Sequence, residues 1–147
     1  MKTILYFHQS AELYGSDKTL LQLVLGMQKK GFNVFVVVPE SGPLIQEFEL
    51  NNIKFIISPV LKLSRNMFRI RKLVLFISSI YSSIKRVRIA VKGQKIDYIH
   101  SNTLAVLLGA IYAKLYRIKH IWHIHEIIEH PKIVVVNRIS ISLDIFE

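Results

Sequence analysis

Thr3-Ile4-Leu5-Tyr6-Phe7, followed by His8-Gln9-Ser10-Ala11-Glu12-Leu13-Tyr14-Gly15-Ser16-Asp17 and then Lys18-Thr19-Leu20-Leu21-Gln22-Leu23-Val24, is the stretch on which the fold turns. Five apolar or β-branched residues read as a buried strand. A polar loop ends at Gly15-Ser16, and Leu20, Leu21, Leu23, Val24 and Met27 give the next segment the apolar face of a helix. Ser16 is expected to cap that helix, and Asp17 falls in its first turn, where negative charge is favoured. Lys29 and Lys30 in the last turn and Gly31 after it form a helix stop. A strand, loop and helix in this order aim backbone N–H groups and the positive end of a helix dipole at whatever lies above the strand. Phosphates favour such a place.

Outward from this unit the pattern repeats. Val34-Phe-Val-Val-Val is a continuous apolar run closed by Pro39, the mark of a strand buried on both faces. Gly42-Pro43 opens a short helix carrying Leu44, Ile45, Phe48 and Leu50. Phe55-Ile-Ile is a third strand. From about Asn66 to Val91 the pattern is helical and basic, ending at Gly93. Asp97-Tyr-Ile-His is a fourth strand. Ser101 or Asn102 is expected to cap a helix with Leu104, Leu107, Leu108, Ile111 and Leu115 inward, and Lys119 to Ile124 is a fifth strand.

Strands alternating with helices imply parallel pairing through right-handed crossovers. The expected fold is a single α/β domain over residues 1–147. It is a Rossmann-like, doubly wound parallel sheet ordered 3-2-1-4-5, with helices on both faces. Such sheets bind ligands at the carboxyl ends of the strands where the order reverses. That places the loop His8–Ser16 beside His100-Ser101-Asn102, with His123, His125 and Glu126 near. For residues 132–147, Ile133-Val-Val-Val invites a strand reading, whereas Pro131 and the spacing of Ile133, Val135, Val136, Ile139, Leu143 and Phe146 favour a helix, the reading preferred here.

The 147 residues carry 20 basic and 10 acidic side chains, a net charge of +10, and 51% of them are hydrophobic. That apolarity argues against disorder. The lack of cysteine excludes disulfide scaffolds and thiolate metal sites. No run approaches the roughly 18 apolar residues of a membrane span, and the N-terminus does not read as a secretory signal. A cytoplasmic protein is expected.

Four stretches together resemble the N-terminal half of GT4-type glycosyltransferases, retaining sugar-nucleotide enzymes with two Rossmann-like domains. They are Tyr14-Gly-Ser-Asp-Lys18 with Leu20-Leu21; Leu25 to Pro39; Ile96-Asp-Tyr-Ile-His-Ser-Asn-Thr103; and Trp122-His-Ile-His-Glu126. The resemblance implies that this domain mainly binds the acceptor while a C-terminal domain holds most of the nucleotide-sugar, which is a substrate rather than a cofactor. It implies that Gly15 and Ser16 face the donor phosphates and that His125 faces the donor sugar near the reacting carbon. Glu126 stands where the family often has an acid, and His8, His100, Ser101, Asn102 and Glu126 would line the acceptor side of the cleft. The family's C-terminal domain, with its paired glutamates, is absent from this sequence and could act in trans.

His123 with His125, or His125 with His130, invite a metal reading. The second pair is five residues apart, about 140° past one helical turn, so the two share no helix face. No metal site is expected, and His120 and His123 read as structural. Between Glu49 and Asp97 every charge is positive, including Arg69, Arg71, Lys72, Lys85, Arg86 and Arg88, with Leu73, Ile77, Ile80, Tyr81 and Ile84 between them at helical spacing. The stretch fits either a solvated helix face or contact with an anionic membrane. No motif for reading nucleic acid is present. The expected function is the acceptor-side domain of a retaining glycosyltransferase acting on a cell-surface or lipid-linked glycan at the inner membrane face, inactive alone. The alternative is a non-catalytic α/β binding module.

Overall fold

The computed structural model describes residues 1–60, 70–102, 107–123 and 140–142. In chain order the elements are β1 (Thr3–Phe7), α1 (Gly15–Lys29), β2 (Asn33–Val38), α2 (Pro43–Leu50), β3 (Lys54–Ile57), α3 (Ile70–Ala90), β4 (Tyr98–Asn102), α4 (Leu107–Tyr116), β5 (Lys119–His123) and β6 (Ser140–Ser142).

The described strands form one sheet ordered β3-β2-β1-β4-β5-β6, with every pairing parallel. The expected 3-2-1-4-5 order is found, and β6 adds to it beside β5. This corrects the helical reading of the C-terminal stretch at residues 140–142; residues 131–139 and 143–147 lie outside the described residues. Ile139-Ser-Ile-Ser-Leu143 alternates apolar and polar residues, a period-two signal that the helical spacing had masked. The parallel register, with Trp122 opposite Ile141, gives the backbone of β5 hydrogen-bonding partners along its outer edge.

β1 is buried along its whole length, and β2 from Val34 to Val38. Helices cover both faces. Ile4, Tyr6, Val34, Val36 and Val38 pack with Leu20 and Val24 of α1 and Leu44 and Phe48 of α2. Leu5, Phe7, Phe35, Val37 and Ile99 pack with Val87 of α3 and Leu108 and Tyr112 of α4. Gly31 ends α1 in the left-handed region at φ 80°, where its N–H donates to Gln28 O and that of Phe32 to Met27 O.

Two local expectations change. α1 begins at Gly15 with Tyr14 as its cap, so Ser16 lies inside the first turn instead of capping it. Asp17 takes over that task, its Oδ2 accepting the Tyr14 N–H at 2.9 Å. In α3 the inward residues are Ser83, Ile84, Val87 and, just past its end, Val91, while Ile77 and Tyr81 are 57% and 71% exposed. Ile80, Ile84, Val87 and Val91 recur at four-three-four spacing along one side of the helix. Tyr81 is rotated about 100° from Ile80 and so leaves that stripe.

Candidate functional site

The backbone of β1 ends where its side chains turn polar. Because side chains alternate along a strand, Tyr6 and His8 face α1, whereas Phe7 faces α4. His8 N–H donates to Val37 O at 2.9 Å, extending the β1–β2 ladder by one residue. The His8 imidazole is fully buried, and its Nε2 lies 2.5 Å from Oδ1 of Asp17, which is 1% exposed. Ser10 Oγ donates to the same carboxylate oxygen at 2.7 Å. On the far side of the ring, Asn102 Nδ2 lies 3.0 Å from His8 Nδ1. The arrangement suits the imidazole with its proton on Nε2, donating to Asp17 while Nδ1 accepts from the Asn102 amide.

This buried network joins the end of β1, the first turn of α1 and the end of β4. A buried carboxylate is stable only when its lone pairs are used, and Asp17 accepts from an imidazole, a hydroxyl and a backbone N–H. Its effect is to clamp the amino end of α1 over the point where the strand order reverses between β1 and β4. Gly15 lies there, exposed, and a Cβ built on it would meet no atom within 4 Å. Packing therefore does not require glycine at this position. Ser16 is half-buried next to it.

The loop between the two elements is fixed at a second point. Ala11 is buried and its carbonyl accepts the Leu44 N–H at 2.9 Å, while Gly42 lies against the same carbonyl.

The residues His100-Ser101-Asn102 divide between the two faces of the sheet. His100 stacks on Tyr6 with ring centroids 4.9 Å apart and meets His123 edge-on at 5.5 Å. With Asn102 they share the face of His8. Ser101 is turned the other way, fully buried under α4, with its Oγ 2.9 Å from His120 Nε2 and against Gly109. It is a core residue, not part of the cleft. The side chains of Ser101 and Asn102 engage histidines, and the cap expected from one of them falls at the start of a helix whose first residues, 103–106, lie outside the described residues. His125, Glu126 and His130 also lie outside the described residues.

Asp17 is the residue that sequence reasoning undervalued, having been read only as a charge favourable to the helix dipole. A signal was present: Asp17, Leu20 and Val24 fall three and seven residues apart on the stripe that is buried. An acid in line with a core stripe needs a buried partner. His123 was read as structural, yet its ring stands at the carboxyl end of β5 beside His100.

His120 behaves as a core histidine. Burial pushes its pKa down from 6.5 to about 4. Between those values the unfolded chain binds the proton and the folded chain does not, so stability is complete above about pH 6.5 and falls as pH drops toward 4. Moving from pH 7 to pH 4.5 is expected to cost on the order of 2 kcal/mol through this residue. Urea unfolding at the two values, with His120→Gln as the comparison, checks it: the variant should lose that part of the pH dependence.

The family model described as Glycosyltransferase Family 4 matches residues 14–142. Among solved structures, Anabaena HepE in complex with UDP and glucose aligns with a TM-score of 0.60 at 16% identity, covering 86% of this chain and 30% of that one. MurG of Acinetobacter baumannii aligns with a TM-score of 0.60 at 17% identity, covering 84% and 35%. A glycosyltransferase of Rickettsia africae aligns with a TM-score of 0.61 at 16% identity, covering 89% and 31%. No curated protein sequence matches the chain. At these identities the structural likeness speaks to the fold, and the chain spans about a third of the length of these structures. The family match covers most of the sequence, including the Tyr14–Asp17 turn, β4 and β5, and the chain therefore belongs to Glycosyltransferase Family 4.

Proposed function

We propose that this chain is the acceptor-side domain of a retaining glycosyltransferase, which transfers sugar from a nucleotide-sugar to a lipid-linked or cell-surface glycan. The observation that carries the reading is the clamped amino end of α1 at the β1–β4 switch point. Gly15 there leaves open space beside first-turn N–H groups, the setting in which a diphosphate leaving group is stabilised. On this reading Gly15 and Ser16 approach the diphosphate, His125 orients the donor sugar and Glu126 borders the acceptor, while the buried His8, His100 and Asn102 support the floor beneath it instead of lining the cleft. UDP in the Anabaena HepE complexes supports a nucleotide-sugar as the donor class. A second domain supplies most of the donor site.

The chain alone is expected to transfer no sugar from a panel of nucleotide-sugars, and turnover by it alone would overturn this division of labour. In the enzyme complete with its donor-binding domain, His125→Ala is expected to lower kcat about 100-fold or more, the scale of losing one group that stabilises a transition state. Gly15→Ala should lower kcat/KM there while leaving the thermal midpoint of the chain unchanged, because the added methyl meets ligand and not protein. Wild-type rates in both variants would remove the site.

The reading includes contact with an anionic membrane at the cytoplasmic face. Lys85, Arg86 and Arg88 are exposed on α3, and exposed Ile77, Tyr81 and Ile89 stand among them. Arg71 and Lys72 lie in the first turn of the same helix, and Arg69 lies outside the described residues. Among the described residues no helix is long and apolar enough to cross a membrane. A mixed basic and apolar face supports lying in the interface, each basic residue near an anionic surface contributing about 1 kcal/mol.

A further inference from the structure

A cavity of about 310 Å³ opens at the end of the sheet opposite the candidate site. It lies where α3 and α4 end and where the chain enters β4 and β5. Val91 and Tyr112 are its buried floor, and Ile96, Tyr116 and Ile118 are half-buried in its walls. Arg88 and Lys92 stand exposed at its rim. Arg88 is held there: its Nη1 donates to the Tyr116 hydroxyl at 3.2 Å, and its guanidinium carbon lies 5.2 Å from the centre of that ring. Among the described residues no acidic side chain lines the cavity.

We propose that this cavity seats one anionic lipid, with the phosphate against Arg88 and Lys92 and the adjoining carbons against Val91, Ile96 and Ile118. The proposal rests on the membrane-contact reading above. Three observations point to such an occupant. An apolar floor beneath a cationic rim matches the junction between a charged headgroup and a hydrocarbon chain. The volume is at the low end of small-molecule sites, about 300–1,000 Å³, so it takes a headgroup and a few carbons and leaves the remaining chain in the bilayer. The rim residue Arg88 lies on α3 within two turns of Tyr81, Lys85 and Ile89, so cavity and membrane-facing surface are continuous.

The electrostatics set a sharper condition. The carboxyl ends of α3 and α4 each bring roughly half a negative charge to the cavity, against two full positive charges on Arg88 and Lys92. The net of about +1 is too weak to hold a bare phosphate in water. Apolar contact must add to it, which distinguishes a lipid from a free anion.

The test is a titration of the full chain with dodecyl phosphate below its micelle concentration, followed by amide chemical shifts. Inorganic phosphate and dodecyl maltoside serve as comparators. Saturable shifts are expected at Gly93, Gln94, Tyr112 and Tyr116. Binding should weaken at least tenfold in Lys92→Glu, an exposed position, and both comparators should bind at least tenfold more weakly than dodecyl phosphate. No saturation, equal affinity in Lys92→Glu, or maltoside binding equally well would overturn the proposal. Co-sedimentation with phosphatidylglycerol vesicles separates the two readings. Dodecyl phosphate binding without vesicle binding leaves the cavity and removes the membrane contact. Vesicle binding without these shifts overturns the cavity alone.

Discussion

Asp17→Ala is expected to destabilise the chain by about 2–3 kcal/mol, the upper part of the range for leaving buried donors without their acceptor. The loss has three parts. Ser10 Oγ, the Tyr14 N–H and the Nε2 side of the buried His8 ring each lose the carboxylate they share. Tyr14 is also the cap of α1, so the first helical turn loosens with the network. The check is the urea midpoint of the variant against wild type. A second variant separates the pair from the surrounding structure. His8→Leu with Asp17→Ala should lose at least about 1 kcal/mol less than the sum of the single changes, since the second substitution removes a group the first had stranded. Strict additivity would mean that the two side chains do not act as a unit.

Gly42→Ala is expected to cost about 2–3 kcal/mol, at the upper part of the range for overpacking. The backbone at Gly42 is extended, with φ −177°, so its conformation suits any residue. The difficulty is space: a Cβ would overlap the Ala11 carbonyl oxygen, which is already committed to the Leu44 N–H. A backbone atom held in a hydrogen bond cannot swing aside. The same chemical change at Gly15 meets open space and is expected to shift stability by less than about 0.5 kcal/mol. Measured thermal midpoints of the two variants should therefore separate clearly, and similar values would contradict the loop packing described here. Gly42 thus fixes the loop from His8 to Tyr14 against α2, while Asp17 fixes its far end.

Much of the fold was legible because its signals are local. Alternating apolar runs and amphipathic segments specify strands and helices, and right-handed crossovers then restrict how parallel strands can be ordered. That is why the order around β1 could be reached from residues alone. The strand at 140–142 was not reached, because Ile139 and Leu143 satisfy a helical period and an alternating one together. The neighbouring edge of β5 decides between them.

The candidate site was legible in place but not in detail. Its position follows from topology, since the order reverses between β1 and β4. Which side chains meet there does not. Ser101 and Asn102 are adjacent in sequence, yet one lies in the core against His120 and the other reaches His8 across 94 positions of chain. A shift of one residue along a strand exchanges faces, and composition holds no record of that choice.

The sequence by itself determined the alternation of elements, the parallel sheet, the glycine turn at the head of α1 and the family. Only the tertiary structure decided that Asp17 is the buried partner of His8, that Ser101 belongs to the core, and that a basic-rimmed cavity forms where α3 and α4 end. The reason is physical. Periodicity is written in neighbouring residues, whereas burial, pairing and open space depend on which distant segments come to rest against one another.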